Sequence, residues 1–227
     1  MRPPLQAMLV VIPARDERLL LGACLDAVAS AAERVDLPVL TVVALDRCTD
    51  GTEQVLLGRQ VTAVATRVGC VGAARAAGVR AGLDQLGGTG PDRVWIANTD
   101  ADSRVDPGWL VHQLALADSG ADLVLGTVWV ADTPTSLASA WAAGYSSTDG
   151  HRHVHGANLG VLASAYLRAG GFRALPVHED VELAAAVAAQ PGAVVVRTGA
   201  APVTTSGRLM ARAPGGFAAH LRGLQVG

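Results

Sequence analysis

Lysine is missing from this 227-residue chain: all 18 of its basic residues are arginine. That absence removes every mechanism that needs a lysine, including the phosphate-loop NTPases, whose motif requires one. Cysteine is sparse. Cys24, Cys48 and Cys70 have no close metal-type spacing, and an odd count of three argues against a disulfide framework. It fits a reducing compartment, so a cytoplasmic location is expected. Aromatic residues make up only 4%, so the core must be built mostly from Ala, Val and Leu. No apolar run approaches the roughly 18 residues of a membrane span, and the N-terminal run is broken by Pro13, too short for a signal peptide. A net charge of −2 leaves no basic footprint for nucleic acid. Half of the residues are hydrophobic, enough for a substantial core in one domain.

Short apolar runs alternate with longer amphipathic ones. Met8 to Ile12, closed by Pro13, reads as a buried strand, and the stretch after it reads as helix until Pro38. "VLTVVAL" (39–45), "VTAVATR" (61–67) and "DRVWIAN" (92–98) read as further strands. "TEQVLLGRQ" reads as a short helix, and an Ala-rich helix ends at Gly87-Gly88. This alternation predicts parallel β-α-β units in an α/β sheet flanked by helices. The second half is less regular. It predicts a long or broken strand in "ADLVLGTVWVAD", a helix after Pro134, a strand-like "HRHVHGANLGVLA", a short helix in "SAYLRAGGF", a clear helix in "HEDVELAAAVAAQPG", and one or two short strands in "AVVVRTGAAPVTTSGR". The expected organisation is one domain over 1–227, with a nucleotide-type half at about 8–105 and an acceptor-type half at about 106–227.

In parallel sheets ligands bind beyond the carboxyl ends of the strands. Arg15 and Glu17 follow the first strand, Asp46 the second, and Asp100 and Asp102 the fourth. Two carboxylates at i and i+2 repel unless a cation lies between them. Hard cations such as Mg²⁺ and Mn²⁺ favour such oxygen ligands, and Mg²⁺ completes its shell with substrate phosphates. The pair therefore points to a metal–diphosphate site; a solvated turn is the plain alternative.

With these acids and "HEDVEL" assembled, the chain resembles the family 2 glycosyltransferases of the GT-A fold. The matching stretches are "VVIPARDE", "ALDRCTDGT", "GAARAAGV", "NTDADSRVDPGWL", "GANLGVLASAYLRAGGF" and "HEDVEL", in the family's order over about residues 8–185. The resemblance implies a Rossmann-like GT-A domain with a mostly parallel sheet. It also implies Mn²⁺- or Mg²⁺-dependent transfer of a sugar from a nucleoside-diphosphate donor to an acceptor hydroxyl, with inversion. Carried over, Pro13, Arg15 and Glu17 would border the nucleotide, Asp46 would contact the nucleoside, and Arg75 would lie near the donor phosphates or base. Asp102 would be the main metal ligand, with Asp100 toward the ribose or metal. Gly156, Ala157 and Asn158 would sit on the acceptor side, and His155, which adjoins them, is expected near the acceptor. Asp180, beside Glu179, would be the general base. The acceptor stays open: a small molecule, a lipid or a glycan. Two motifs depart from the family pattern. Leu45-Asp46-Arg47-Cys48-Thr49 lacks a second acid, and Arg75-Ala76-Ala77 lacks the usual Asn.

Other readings compete. In a strand, His151, His153 and His155 would share a face, and three histidines can bind zinc; polar lining of an acceptor cleft or a solvated edge is the alternative. Trp141 and Tyr145 stand at helical spacing, as core or lid packing or as a sugar platform. Arg208 could reach a diphosphate or simply face solvent. A haloacid-dehalogenase phosphatase would carry its Asp-x-Asp on the first strand and need a lysine. A sugar-phosphate nucleotidyltransferase would show a Gly-rich loop after strand one. A sugar-nucleotide binder without transferase activity would not need Asp102 and Asp180 together.

Overall fold

A computed structural model of the chain describes residues 2–209 and 221–223. The first half follows the sequence pattern closely. It runs β1 (Ala7–Ala14), α1 (Leu21–Ala32), β2 (Val39–Asp46), β3 (Thr62–Thr66), α2 (Val71–Gln85) and β4 (Val94–Asn98). These four strands are parallel neighbours in the order β3-β2-β1-β4, with Ile12 opposite Val43 and Leu9 opposite Ile96. Every residue of β1 and β4 is buried, which is why both strands are apolar on each face. Helix α2 lies unusually close to β1. A Cβ at Gly78 would stand 2.7 Å from Val11 Cγ1, and one at Gly82 would stand 2.3 Å from Leu9 Cδ1.

The second half runs β5 (Ser103–Arg104), α3 (Trp109–Asp118), β6 (Leu123–Ala131), α4 (Thr135–Gly144), β7 (Leu159–Leu162), α5 (Ala163–Arg168), α6 (Glu179–Ala188) and β8 (Val195–Ser206). The sheet continues as β4-β7-β6-β8-β5. Strand β7 is antiparallel to both β4 and β6, while β8 is parallel to β6. The result is a single eight-stranded, mostly parallel α/β sheet. Its core carries two buried tryptophans whose ring N–H groups are satisfied: Trp95 donates to Gln113 Oε1 at 2.7 Å and Trp109 to Asn158 Oδ1 at 2.8 Å. No helix among the described residues is long and apolar enough to cross a membrane.

Four local departures from the sequence reading have physical causes. Helix α1 begins at Leu21, not directly after Pro13, because Asp16 adopts a left-handed φ of 53°. Its carboxylate accepts bonds from Thr49 N at 2.7 Å and Thr49 Oγ1 at 3.1 Å, which pins that turn to the loop after β2. The "TEQVL" segment makes only a 3₁₀ helix at Thr52–Leu56. The stretch 151–155 pairs with no strand among the described residues. Strand β8 is one twelve-residue element, but its register on β6 jumps between the Gly126–Thr198 and Val128–Val203 pairs. Pro202, which has no N–H to give a ladder, lies in that bulge beside Ala201 at φ 51°.

Candidate functional site

The carboxyl ends of β1, β2 and β4, the start of α6 and the exit of β8 open into one cavity of ≈ 540 Å³. The loop after β1 supplies Pro13, Arg15 and Glu17 to it, and β2 supplies Asp46. Arg75 enters from α2, and Asp100 and Asp102 enter from the turn after β4. His155, Gly156 and Ala157 line it ahead of β7, and Glu179 and Asp180 line it at the head of α6.

Asp46 is buried and held by two donors, Thr66 Oγ1 at 2.8 Å and Gly69 N at 3.0 Å. A carboxylate fixed at a strand's end in this way is a rigid acceptor rather than a mobile surface charge.

A buried cation joins the two halves of the cavity. Arg75 is 2% exposed, and its Nη2 contacts Asp100 Oδ1 at 2.5 Å while its Nε donates to Glu179 Oε1 at 3.1 Å. Nη1 reaches the Thr99 carbonyl at 3.4 Å, and the guanidinium lies 5.8 Å from the Phe172 ring centre. Glu179 is pushed up from the ordinary carboxylate range by burial, with Arg75 opposing that shift. Gly156 must be glycine, because a Cβ there would lie 2.5 Å from Arg75 Nη2. Arg75→Ala would leave Glu179 buried without a partner, so a loss of about 3–5 kcal/mol in unfolding free energy is expected. Urea denaturation would measure it; an unchanged midpoint would show that Arg75 stabilises nothing.

A second arginine holds the other side. Arg208, two residues past β8, grips Glu17 with two bonds of 2.7 and 2.5 Å, and its Nη2 lies 3.0 Å from Asp102 Oδ2. Asp102 is pushed up to about 6 by burial and by the Asp100 charge, with Arg208 opposing and Glu17 adding to the shift. Three acids therefore crowd one corner, and the guanidinium sits among them as counter-charge. Such an excess of hard oxygen ligands suits Mg²⁺ or Mn²⁺. Among the described residues no group of three or more His, Cys, Asp or Glu is placed to hold a metal alone. A cation placed at Asp100 and Asp102 would have to draw part of its shell from a substrate.

Asp180 has a different environment from its neighbour. Its Oδ2 accepts from Gly156 N at 2.7 Å and its Oδ1 from Val181 N at 2.8 Å. The two backbone donors fix the carboxylate on the cavity wall.

The histidines stack instead of converging. The His151–His153 and His153–His155 ring centres lie 5.6 and 5.9 Å apart, and Tyr145 stacks on His153 at 4.1 Å and on Trp141 at 4.5 Å. Their nitrogens serve separate partners: His151 Nε2 contacts the Leu125 carbonyl at 3.2 Å, and His155 Nε2 contacts Tyr145 Oη at 3.0 Å. The protein is therefore expected to purify with far less than one zinc per chain. Elemental analysis finding one equivalent, lost in a His151/His153/His155 triple alanine variant, would reverse that.

Asn158 departs from its expected acceptor-side position. It is buried and outside the cavity lining, donates to the Thr127 and Ala201 carbonyls at 2.9 and 3.2 Å, and accepts from Trp109. Its side chain ties β6 to the β8 bulge, so it braces the wall and does not line the cavity. The sequence reading also missed Thr66 and Gly69 as holders of Asp46, which no motif flags, and left Arg208 undecided. Only the fold brings Arg208 to Glu17, 191 residues away.

Residues 9–149, more than half of the chain, match the family model described as glycosyl transferase family 2. No curated protein matches the chain. Among solved structures, S. aureus TarS 1–349 in complex with UDP-GlcNAc superposes with a TM-score of 0.68 at 14% identity, covering 93% of this chain and 62% of that one. The same protein in complex with UDP gives 0.65 at 14% identity, over 88% and 60% of the two chains. A mycobacterial protein gives 0.58 at 17% identity, over 88% and 65%. At such identities the likeness is one of fold, and this chain spans less than two thirds of each of those structures.

Proposed function

Because the chain belongs to glycosyl transferase family 2, we propose that it moves a sugar from a nucleoside-diphosphate donor to an acceptor hydroxyl, inverting the anomeric carbon. The observation that carries this reading is that the acids after β2 and β4 and the acid at the head of α6 line a single cavity, coupled through Arg75 between Asp100 and Glu179. The UDP-GlcNAc bound to TarS, a protein of similar fold, supports a nucleotide sugar as donor.

On this reading Asp46 receives the nucleoside, with Pro13, Arg15 and Glu17 along its edge. Asp102 and Asp100 hold Mn²⁺ or Mg²⁺, which when bound supplies positive charge against the departing diphosphate. Asp180 takes the proton from the acceptor hydroxyl as that oxygen attacks. Glu179 is a poorer base despite its raised affinity for protons, because its Oε1 is bonded to the buried Arg75. Gly156 N–H and Val181 N–H leave each Asp180 oxygen a further lone pair for the acceptor. Arg208 neutralises Glu17 and Asp102 and would have to yield Asp102 when a cation is bound there.

A thermal-shift series with UDP, GDP and their sugar conjugates, with and without Mn²⁺, tests the reading, since a ligand of the folded state raises apparent stability. No shift with any nucleotide in the presence of Mn²⁺ would refute it. Binding without metal-dependent hydrolysis of any donor would instead favour a nucleotide-sugar binder lacking transferase activity.

A further inference from the structure

We propose that the acceptor hydroxyl is carried on an apolar body, an aliphatic or aromatic alcohol, and not on a polyhydroxylated sugar. The inference rests on the transferase reading and concerns the cavity wall around Asp180. Six side chains of its lining are mainly apolar: Val128, Trp141 and Val154 ahead of β7, and Pro176, Val177 and Val181 leading into α6.

The histidines of this wall each have one ring nitrogen engaged. Tyr145 Oη accepts from Val128 N at 2.9 Å and contacts His155 Nε2 at 3.0 Å. His153 Nε2 accepts from Ser146 N at 3.2 Å. Asn158, the amide that could serve a sugar, is turned into the framework. His153 is held below its ordinary range by burial and by the neighbouring His151 and Arg197, so it presents no charge to an acidic acceptor at neutral pH. Besides the two acids, the polar side chains here are His153 and His155, each with one ring nitrogen engaged, and His178, exposed at the mouth. A bound sugar needs a partner for each hydroxyl it buries, because an unpaired one costs about 1–3 kcal/mol. This wall does not supply that many.

The rim argues the same way. Val181, immediately after Asp180, is 43% exposed, and Pro176 is exposed too. Apolar side chains open to solvent beside the proton acceptor gain by being covered. An alcohol with its hydroxyl at Asp180 and its apolar body along Val177, Val181 and Trp141 meets both requirements.

Calorimetric titration tests this with three probes, 1-naphthol, n-octanol and methyl β-glucopyranoside, each run on the protein alone and on protein saturated with UDP and Mn²⁺. A Val177→Ser/Val181→Ser variant, changed only at half-buried and exposed positions, is titrated alongside. The expected result is saturable binding of an alcohol with a negative heat-capacity change, weakened about tenfold in the variant, and no saturable heat from the glucoside. Binding of naphthol alone assigns an aromatic body, and of octanol alone an aliphatic one. The inference is overturned if the glucoside binds as tightly as the alcohols, if none of the probes binds, or if the variant retains full alcohol affinity. UDP that fails to bind the wild type counts against the transferase reading separately, since the alcohols are also titrated in its absence.

Discussion

Replacing Asp102 with alanine is expected to reduce UDP affinity in Mn²⁺ to whatever remains without the metal. In the proposed site, protein and diphosphate share one cation, so loss of the main protein ligand removes the coupling between them. Calorimetry on both proteins, with and without Mn²⁺, decides it, and an unchanged metal-dependent affinity would dismiss the shared site. The same variant carries a second, opposite signature. In the folded metal-free protein Asp102 binds its proton up to about pH 6, against an ordinary 3.8, chiefly because the site is buried. The unfolded chain therefore releases that proton first. The contribution of Asp102 to stability is best at low pH and declines as pH rises from about 3.8 to about 6. Above that window the ionised group works against folding. Metal-free Asp102→Ala should accordingly melt at a higher temperature than wild type at pH 7.5, with Arg208 still paired to Glu17. Cation binding by the wild type should fade below about pH 6, where a proton competes for the same oxygens.

Asp180→Asn is expected to lower transfer by about 10²–10⁴-fold while donor affinity scarcely moves. The amide preserves size, and its carbonyl oxygen can still accept from Gly156 N, but it cannot take the acceptor's proton. In the proposed site, donor affinity would rest on Asp46, Asp100 and Asp102. Glu179→Gln is the informative companion. It weakens the pairing of Arg75, so it should lower stability and reduce turnover far less. Donor titration and turnover of both variants separate the cases. If Asp180→Asn works at the wild-type rate and Glu179→Gln is dead, the base is Glu179. If both are fully active, the acids only begin a helix.

The first half was legible because its two central strands, β1 and β4, are buried on both faces. Runs such as "MLVVI" and "VWIAN" admit little besides a parallel sheet, and strand-end acids then fall on one edge. The turn after β4 was readable for the same reason. The second half was harder because its pieces obtain their conformation from distant partners. "HRHVH" alternates like a strand, but no neighbouring strand lies beside it, and its rings stack against Tyr145 instead. "GAAPVTT" looks like a strand break, yet β6 carries it through as a bulge. The family resemblance of "GANLG" puts Asn158 on the acceptor side, but only its neighbours Gly156 and Ala157 line the cavity. A residue's number does not reveal which way its side chain turns at the start of a strand. Arg208 illustrates the limit most plainly: its partners Glu17 and Asp102 belong to different loops.

Strand β7 enters the sheet at the edge where β4 leaves it, with Leu159 opposite Asn98. Strand β6, antiparallel to β7, leaves at that edge as well. The stretch 132–155 thus departs from and returns to one rim of the sheet, carrying Trp141, Tyr145 and the three histidines with it, while Gly156 and Asn158 mark where it rejoins the framework. In topological terms it is a cassette. Its length and side chains can be exchanged while the pairing of β6, β7 and β4 stays in register, and the acids after β2 and β4 keep their places. Evolution or an engineer can therefore rewrite one wall of this cavity by splicing at two points, without redesigning the half that the opposite wall depends on.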